Sequence, residues 1–236
     1  MSQIFESKLN ALSITLTEMQ KKQFDKFYEL LVEWNKVMNL TGITEYEEVN
    51  EKHFIDSVSI VKAVDINNVE TVIDIGTGAG FPGIPLKIAF PHLKVVLLDS
   101  LNKRINFLNT VINELGLTDI KTIHGRAEDY AKQAEYREQF ELCVSRAVAN
   151  LSTLSEYCIP YVKLGGFFVP YKSGEIDEEV LDAKNAMHIL GGKLEEVIKF
   201  QLPDTEINRS FVKIKKTQNT AKKYPRKAGL PAKEPL

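Results

Sequence analysis

Apolar positions in the first part of the chain recur at helical spacing. Phe24, Phe27, Leu30, Leu31, Trp34, Val37 and Met38 fall on one face of a helix. Its start is marked by Thr17-Glu-Met-Gln20, a capping box in which Thr17 caps the first turn and Gln20 reaches back. Thr41-Gly42 ends it. A second helix is predicted from Tyr46 to Ala63, with Phe54, Val58, Val61 and Val64 on its buried side. His53 and Asp56 lie three apart on it, either as a functional pair on one face or as an exposed ion pair. Residues 1–65 thus read as a helical segment.

From Val69 the period changes. Short β-branched runs alternate with amphipathic stretches, the pattern of a parallel sheet covered by helices on both faces. The predicted strands are Thr71–Ile75, Lys94–Leu98, Ile120–His124, Leu142–Ser145 and Phe167–Tyr171. Helices are expected over Leu101–Leu115, after Gly125, over Leu151–Leu164 and over Glu175–Leu190. Two last strands, Leu194–Gln201 and Ser210–Lys215, are joined by the short polar loop Pro203–Asn208 and pair as a hairpin. The order predicts an α/β, Rossmann-like sheet of seven strands over residues 66–216, mostly parallel, with a C-terminal antiparallel hairpin. The last stretch, residues 217–236, is polar and rich in lysine and proline, and is expected to be loosely ordered.

Composition narrows the class. With 44% hydrophobic and 26% charged residues among 236, the chain can bury a core of ordinary size. No run approaches the ~18 apolar residues of a membrane span, and Met1-Ser-Gln-Ile-Phe-Glu lacks the layout of a signal peptide. Cys143 and Cys158 form neither a CxxC nor a zinc spacing, so buried inert thiols and no metal site are expected. These features point to the cytoplasm and to no membrane partner; a monomer is favoured. Net charge is −2, but nine basic residues from Arg209 onward face one acid, Glu234, so that segment carries +8 and the rest −10. Such asymmetry suits a polyanionic partner.

Chemistry concentrates in Asp74-Ile-Gly76-Thr-Gly78-Ala-Gly80-Phe-Pro-Gly83, directly after the first strand of the sheet. Glycines there let the backbone turn sharply and approach a ligand closely. A dinucleotide fingerprint needs a further glycine where Phe81 stands, no Gly-Lys-Ser/Thr follows for a P-loop, and no G-x-S-x-G elbow exists. Spacing at Asp74, Gly76, Gly78 and Gly80 instead resembles the first motif of class I S-adenosylmethionine-dependent methyltransferases. Asp99, ending the second strand, stands where an acid accepts hydrogen bonds from ribose hydroxyls.

Further motifs narrow the resemblance: Trp34-Asn-Lys with Asn39-Leu-Thr41, His53-Phe-Ile-Asp-Ser57, Gly80-Phe-Pro-Gly-Ile-Pro85, Leu98-Asp-Ser100 with Lys103-Arg104, Gly125-Arg-Ala-Glu128, Ser145-Arg-Ala147 and Lys223-Tyr-Pro-Arg-Lys-Ala-Gly229. Together they resemble, over nearly the whole chain, the RsmG (GidB) family of bacterial ribosomal RNA methyltransferases. That resemblance implies methyl transfer from S-adenosylmethionine to N7 of one specific guanine in 16S ribosomal RNA of the small subunit. It also implies cofactor contacts at Gly76, Phe81, Ala127, Glu128 and Arg146, with Asp99 at the ribose; Gly78 and Ser100 complete the candidate set. For Arg146 a structural ion pair with Asp74 or Glu128 is the alternative, and for Phe81 packing at a helix start.

Guanine N7 carries a lone pair and no proton, so no general base is expected and none is assigned. Consistently, Ser145-Arg-Ala-Val148 replaces the Asn/Asp-Pro-Pro-Tyr of exocyclic-amine methylases, and Cys143 lies within a strand rather than at its mouth. Arg104, Arg126 and Lys172 are candidates for the guanine edge, where a cation commonly meets O6. Lys223, Arg226 and Lys227 are candidates for RNA phosphates of the 16S RNA or a small-subunit particle. The rival readings are a methyltransferase on a non-RNA substrate and a non-catalytic, nucleotide-binding ribosome-assembly factor.

Overall fold

The computed structural model describes residues 2–146 and 149–236; Ala147 and Val148 of the Ser145–Val148 segment lie outside the described residues. Helices α1 (Gln3–Ala11) and α2 (Glu18–Met38) open the chain. The capping box at Thr17 and Gln20 forms as read: the Thr17 side chain accepts from the Gln20 amide and Gln20 accepts from the Thr17 amide. Gln20 also donates to the carbonyls of Ile88 and Ala89, at 2.8 and 3.1 Å, so the cap ties α2 to the sheet-covering layer. The left-handed Asn39, at φ 49°, ends α2.

Between Tyr46 and Lys62 the regular α-helix expected from the apolar spacing gives way to four short pieces. These are α3 (Tyr46–Val49), a π-helical segment (Asn50–Ile55), α4 (Asp56–Val58) and a 3₁₀ turn (Ser59–Lys62). In the π segment the Asp56 amide donates to the Glu51 carbonyl, five residues back. The wider winding is common at functional sites. Here it buries Phe54, Ile55 and Asp56 side by side, where a regular helix would turn part of that run outward.

The sheet runs in the order β3-β2-β1-β4-β5-β7-β6. Its strands are β1 (Thr71–Ile75), β2 (Lys94–Asp99), β3 (Ile120–His124), β4 (Phe140–Ser145), β5 (Val162–Ser173), β6 (Gly192–Gln201) and β7 (Asn208–Lys216). The first five pair in parallel, and β7 inserts antiparallel between β5 and β6, as the hairpin reading requires. Covering helices are α5 (Gly83–Ala89), α6 (Asn102–Glu114), α7 (Ala127–Tyr130), α8 (Leu151–Cys158), α9 (Asp177–Asp182) and α10 (Lys184–Ile189). Three expectations shift in detail. The helix after Leu151 stops at Cys158, β5 begins at Val162 and carries Gly165-Gly166 inside it, and the Glu175–Leu190 helix is two pieces. Gly166 belongs in the strand because a Cβ there would sit 2.6 Å from the Glu141 carbonyl oxygen on neighbouring β4.

Two apolar clusters flank the sheet. One joins Phe5, Phe24, Phe27 and Phe54 of the N-terminal helices to Val72 and Leu97 of the strands. The other packs Ile73, Cys143 and Phe168 against α8 and α10. The N-terminal helices thus contribute to the same core that seats the glycine loop.

The C-terminal residues correct the expectation of a loose tail. Arg226 brackets the buried Glu156 of α8 with three side-chain hydrogen bonds of 2.7–3.0 Å and a fourth from its backbone amide at 2.7 Å. Arg137 donates to the carbonyls of Thr220 and Tyr224, and the Gly229 amide donates to Glu128 at 2.8 Å. A final turn, α11 (Leu230–Lys233), packs on α8. Local composition says nothing of these partners, which lie 70 to 101 residues upstream.

Candidate active site

The glycine loop takes its shape from two carboxylates. Asp74, at the end of β1 and fully buried, accepts from the Thr77 hydroxyl at 2.7 Å and from the Gly83 amide at 2.9 Å through Oδ2. Its Oδ1 has no partner among the described residues. Burial pushes its carboxyl up to about 7, against the lowering effect of those two hydrogen bonds and of Arg146. Asp99, at the end of β2, accepts from the Gly78 amide and from the Leu101 amide, both at 2.9 Å, and pairs with Arg104 at 3.3 Å. One acid therefore fixes the loop to its helix and the other holds it against the neighbouring strand.

The glycines divide by cause. At Gly80 conformation and packing both act: φ is 93°, and a Cβ would meet the Ile84 side chain at 2.6 Å and that of Leu108 at 3.0 Å. At Gly78 the nearest atom would be the Gly76 carbonyl oxygen at 4.0 Å, and only the φ of 61° resists a side chain. The space above Gly78 is open, and it faces a cavity of about 550 Å³.

That cavity lies at the carboxyl ends of β1, β2, β3 and β4, where ligands bind in such sheets. All eight candidate cofactor residues line it: Gly76, Gly78, Phe81, Asp99, Ser100, Ala127, Glu128 and Arg146. Arg104 and Arg126 sit on its rim. Leu40, Thr41 and Tyr157 also contribute to the wall. Strand-end reasoning missed them because they come from the α2 exit and from α8, although Asn39-Leu-Thr41 was already a motif.

Arg146 does make an ion pair, the alternative weighed for it, but with Asp56 rather than with Asp74 or Glu128. Its guanidinium donates to Asp56 Oδ2 at 3.1 Å and to the Lys52 carbonyl at 3.2 Å, meets His53 Nδ1 at 3.2 Å, and lies 4.9 Å over the Phe81 ring. The pairing of His53 with Asp56 as an exposed ion pair is likewise corrected: Asp56 is 3% exposed and binds Arg146 and Arg209 instead. The His53 ring meets the Lys52 carbonyl through Nδ1 at 3.1 Å and Thr41 Oγ1 through Nε2 at 2.8 Å. Burial and then the Arg146 charge pull this imidazole down to about 4, so the ring is neutral near pH 7. It stacks on Phe81, centroids 4.6 Å apart.

A second cavity, of about 800 Å³, opens on the other side of this group and shares His53, Arg146 and Ala149 with the first. Lys172 stands here, donating to the Ala149 carbonyl at 2.7 Å and to Glu179 at 2.6 Å. Lys223, Arg226 and Lys227 line neither cavity. Lys223 and Lys227 are exposed, whereas Arg226 is engaged with Glu156. Cys143 is buried in β4 beside Cys158, and burial pushes its thiol up. Among the described residues no cluster of His, Cys, Asp and Glu is disposed to hold a metal ion, and no helix is long and apolar enough to cross a membrane.

A family model described as GidB, rRNA small subunit methyltransferase G, matches residues 20–223. The chain belongs to the GidB family. Its GidB relatives include the ribosomal RNA small subunit methyltransferase G of Lachnoclostridium phytofermentans, 56% identical over 98% of this chain and 96% of that protein. The protein of the same name from Brevibacillus brevis is 53% identical over 98% of each chain. Among solved structures, YcgJ of Bacillus subtilis superposes with a TM-score of 0.54 at 11% identity, over 71% of this chain and 100% of that one. M. jannaschii TYW2, solved in complex with AdoMet, superposes with a TM-score of 0.50 at 16% identity, over 63% and 69%. At such identities the likeness speaks for the fold, that of class I S-adenosylmethionine-dependent methyltransferases.

The residues of this GidB cavity fit that donor. Its size falls within the range of small-molecule sites. Gly78 leaves room for close backbone approach, and Asp99 and Glu128 offer acceptors to hydroxyl and ammonium groups. Ile75, Leu98 and Phe81 supply apolar surface.

Proposed function

We infer that the protein transfers the methyl group of S-adenosylmethionine to N7 of one guanine in small-subunit ribosomal RNA. One observation carries the reading beyond family membership: a donor cavity and a second chamber adjoin, and His53, Arg146 and Ala149 line both. The bound sulfonium supplies an electrophilic methyl group and leaves as a neutral thioether. Everything else falls to the chain. Gly76, Gly78 and Phe81 shape the donor cavity, Asp99 and Glu128 orient its polar ends, and Arg146 lines the junction of the two chambers.

N7 needs no deprotonation, so alignment is the main contribution, and two adjoining chambers with shared, fixed lining residues serve it. Neutral His53 adds no cation where positive charge passes from sulfur to the base. The exposed Lys222, Lys223 and Lys227 supply phosphate contacts whose affinity falls with salt. A ribosomal substrate places the reaction in the cytoplasm.

Incubation with methyl-labelled S-adenosylmethionine and small-subunit RNA lacking the modification, free or in particles, tests this. Label at N7 of one guanine is expected. A protein that binds the donor but leaves RNA unlabelled in both forms is not acting as this enzyme.

A further inference from the structure

The second chamber holds a donor and an acceptor in a fixed order, and that order matches one edge of one base. Glu179, at its outer end, has a side chain about 31% exposed. Next comes Lys172, bonded to Glu179 at 2.6 Å and to the Ala149 carbonyl at 2.7 Å. Ala149, with Arg146 and His53, belongs to both cavities and so marks the end nearest the donor. An ammonium has three donors, and two of those on Lys172 are engaged. Among the described residues the third has no acceptor and is left for a ligand.

Guanine presents N2–H and N1–H donors, then the O6 acceptor, then N7, in sequence around its rim. Resting on the guanine-N7 reading above, we propose that this chamber reads the acceptor base. Glu179 accepts from N1–H and N2–H, Lys172 donates to O6, and the remaining atom in the series, N7, points into the junction of the two cavities beside Arg146, His53 and Ala149, in line with the methyl group. The reading also explains rejection. Adenine in the same pose would set its exocyclic N–H against the Lys172 ammonium and its bare N1 against the Glu179 carboxylate, two like-with-like contacts. Glu179 and Lys172 are therefore specificity-determining residues, and N7 is selected by orientation rather than by a base that activates it.

The test uses the full-length protein and small-subunit RNA carrying either guanosine or inosine at the acceptor position. Inosine keeps N7, O6 and N1–H and lacks only the N2 amino group. Wild type is expected to methylate inosine about tenfold or more slowly in kcat/KM, the loss expected for a hydrogen bond to a charged group. In Glu179→Gln the guanosine rate falls by a similar factor and the guanosine-to-inosine ratio collapses towards one, with affinity for S-adenosylmethionine retained. Glu178→Gln, an exposed neighbour, keeps both the wild-type rate and the wild-type ratio. Should Glu179→Gln not fold, as judged by its melt and donor affinity, Lys172→Met against 2-aminopurine, which lacks both O6 and the N1–H, supplies a second comparison: the guanine-to-2-aminopurine ratio narrows in Lys172→Met by the share that O6 carries, and an unchanged ratio overturns the proposal. A wild-type ratio near one overturns the proposal, as does an equal ratio in wild type and Glu179→Gln. Absence of any RNA methylation by wild type would instead strike the function on which the proposal rests.

Discussion

Replacing Arg226 by methionine tests whether that cation serves the fold or the RNA. Glu156 has a side chain only 1% exposed and takes three hydrogen bonds from the Arg226 guanidinium, with one more from the backbone amide. Methionine keeps the length and apolar stem but leaves a buried carboxylate facing no cation from this residue. Breaking a buried pair in this way costs about 3–5 kcal/mol, and since Arg226 is one-fifth exposed the lower end, about 3 kcal/mol, is appropriate. In a domain of this size each kcal/mol moves the melting temperature by about 2–4 °C, so a fall of about 6–12 °C is expected.

Two controls separate the cause. Adding Glu156→Gln to Arg226→Met removes the stranded charge and should recover part of the loss. Limited trypsin digestion should cut the variant faster at Lys222 and Lys223, because the clamp over residues 220–229 is released. Differential scanning calorimetry reads the first effect and mass spectrometry the second. A melt within 1 °C of wild type, together with an unchanged digestion pattern, would refute the structural role and return Arg226 to the pool of RNA-facing cations.

Asp74→Asn should flatten a pH dependence. The folded carboxyl titrates near 7, against 3.8 as its ordinary value, so its contribution to stability is full below about pH 4 and is lost as pH rises towards 7. Urea unfolding of donor-free protein should therefore show wild type losing up to about 4 kcal/mol relative to the asparagine variant across that window; a constant difference would sink the idea. Arg146→Ala removes the contacts to Asp56, His53 and the Lys52 carbonyl, and methylation should fall at least tenfold with a measurable change in donor affinity by calorimetry. Unchanged affinity and rate would exclude Arg146 from the site. Lys223→Ala with Lys227→Ala should lower the slope of log affinity for RNA against log salt by about 1–2, leaving the melt in place, and an unchanged slope would mean the tail meets no phosphate.

Legibility in the sequence followed the range of the interactions. The sheet is readable because each strand's period and each turn's glycine are local facts; the strand-end rule points to Asp99, the family resemblance implies Glu128 and Arg146, and all three line one cavity. What stayed hidden were partners set by tertiary closure. Asp56 binds arginines 90 and 153 residues downstream, and Glu156 takes Arg226 from 70 residues away. The clamped tail differs from the loose one its composition predicts for that reason. A lysine-rich, proline-rich composition describes what a segment lacks for making its own core, and says nothing of a core it can be clamped to.

The π-helical segment shows why the His53 motif in particular could not be resolved by spacing. On a regular helix His53 and Asp56 fall on one face and pair with each other. The widened turn at Asn50–Ile55 instead lets the His53 ring stack on Phe81 while Asp56 reaches two arginines, and Arg146 bridges the two side chains. Asp56 thereby sits between two guanidinium groups and offsets one of their two charges, from the side of the second cavity. Held by that acid and by His53, the Arg146 guanidinium stays fixed over the Phe81 ring at the edge of the first cavity. The segment before the sheet therefore reaches the cavity through Arg146, whose place it sets with an acid and a neutral imidazole.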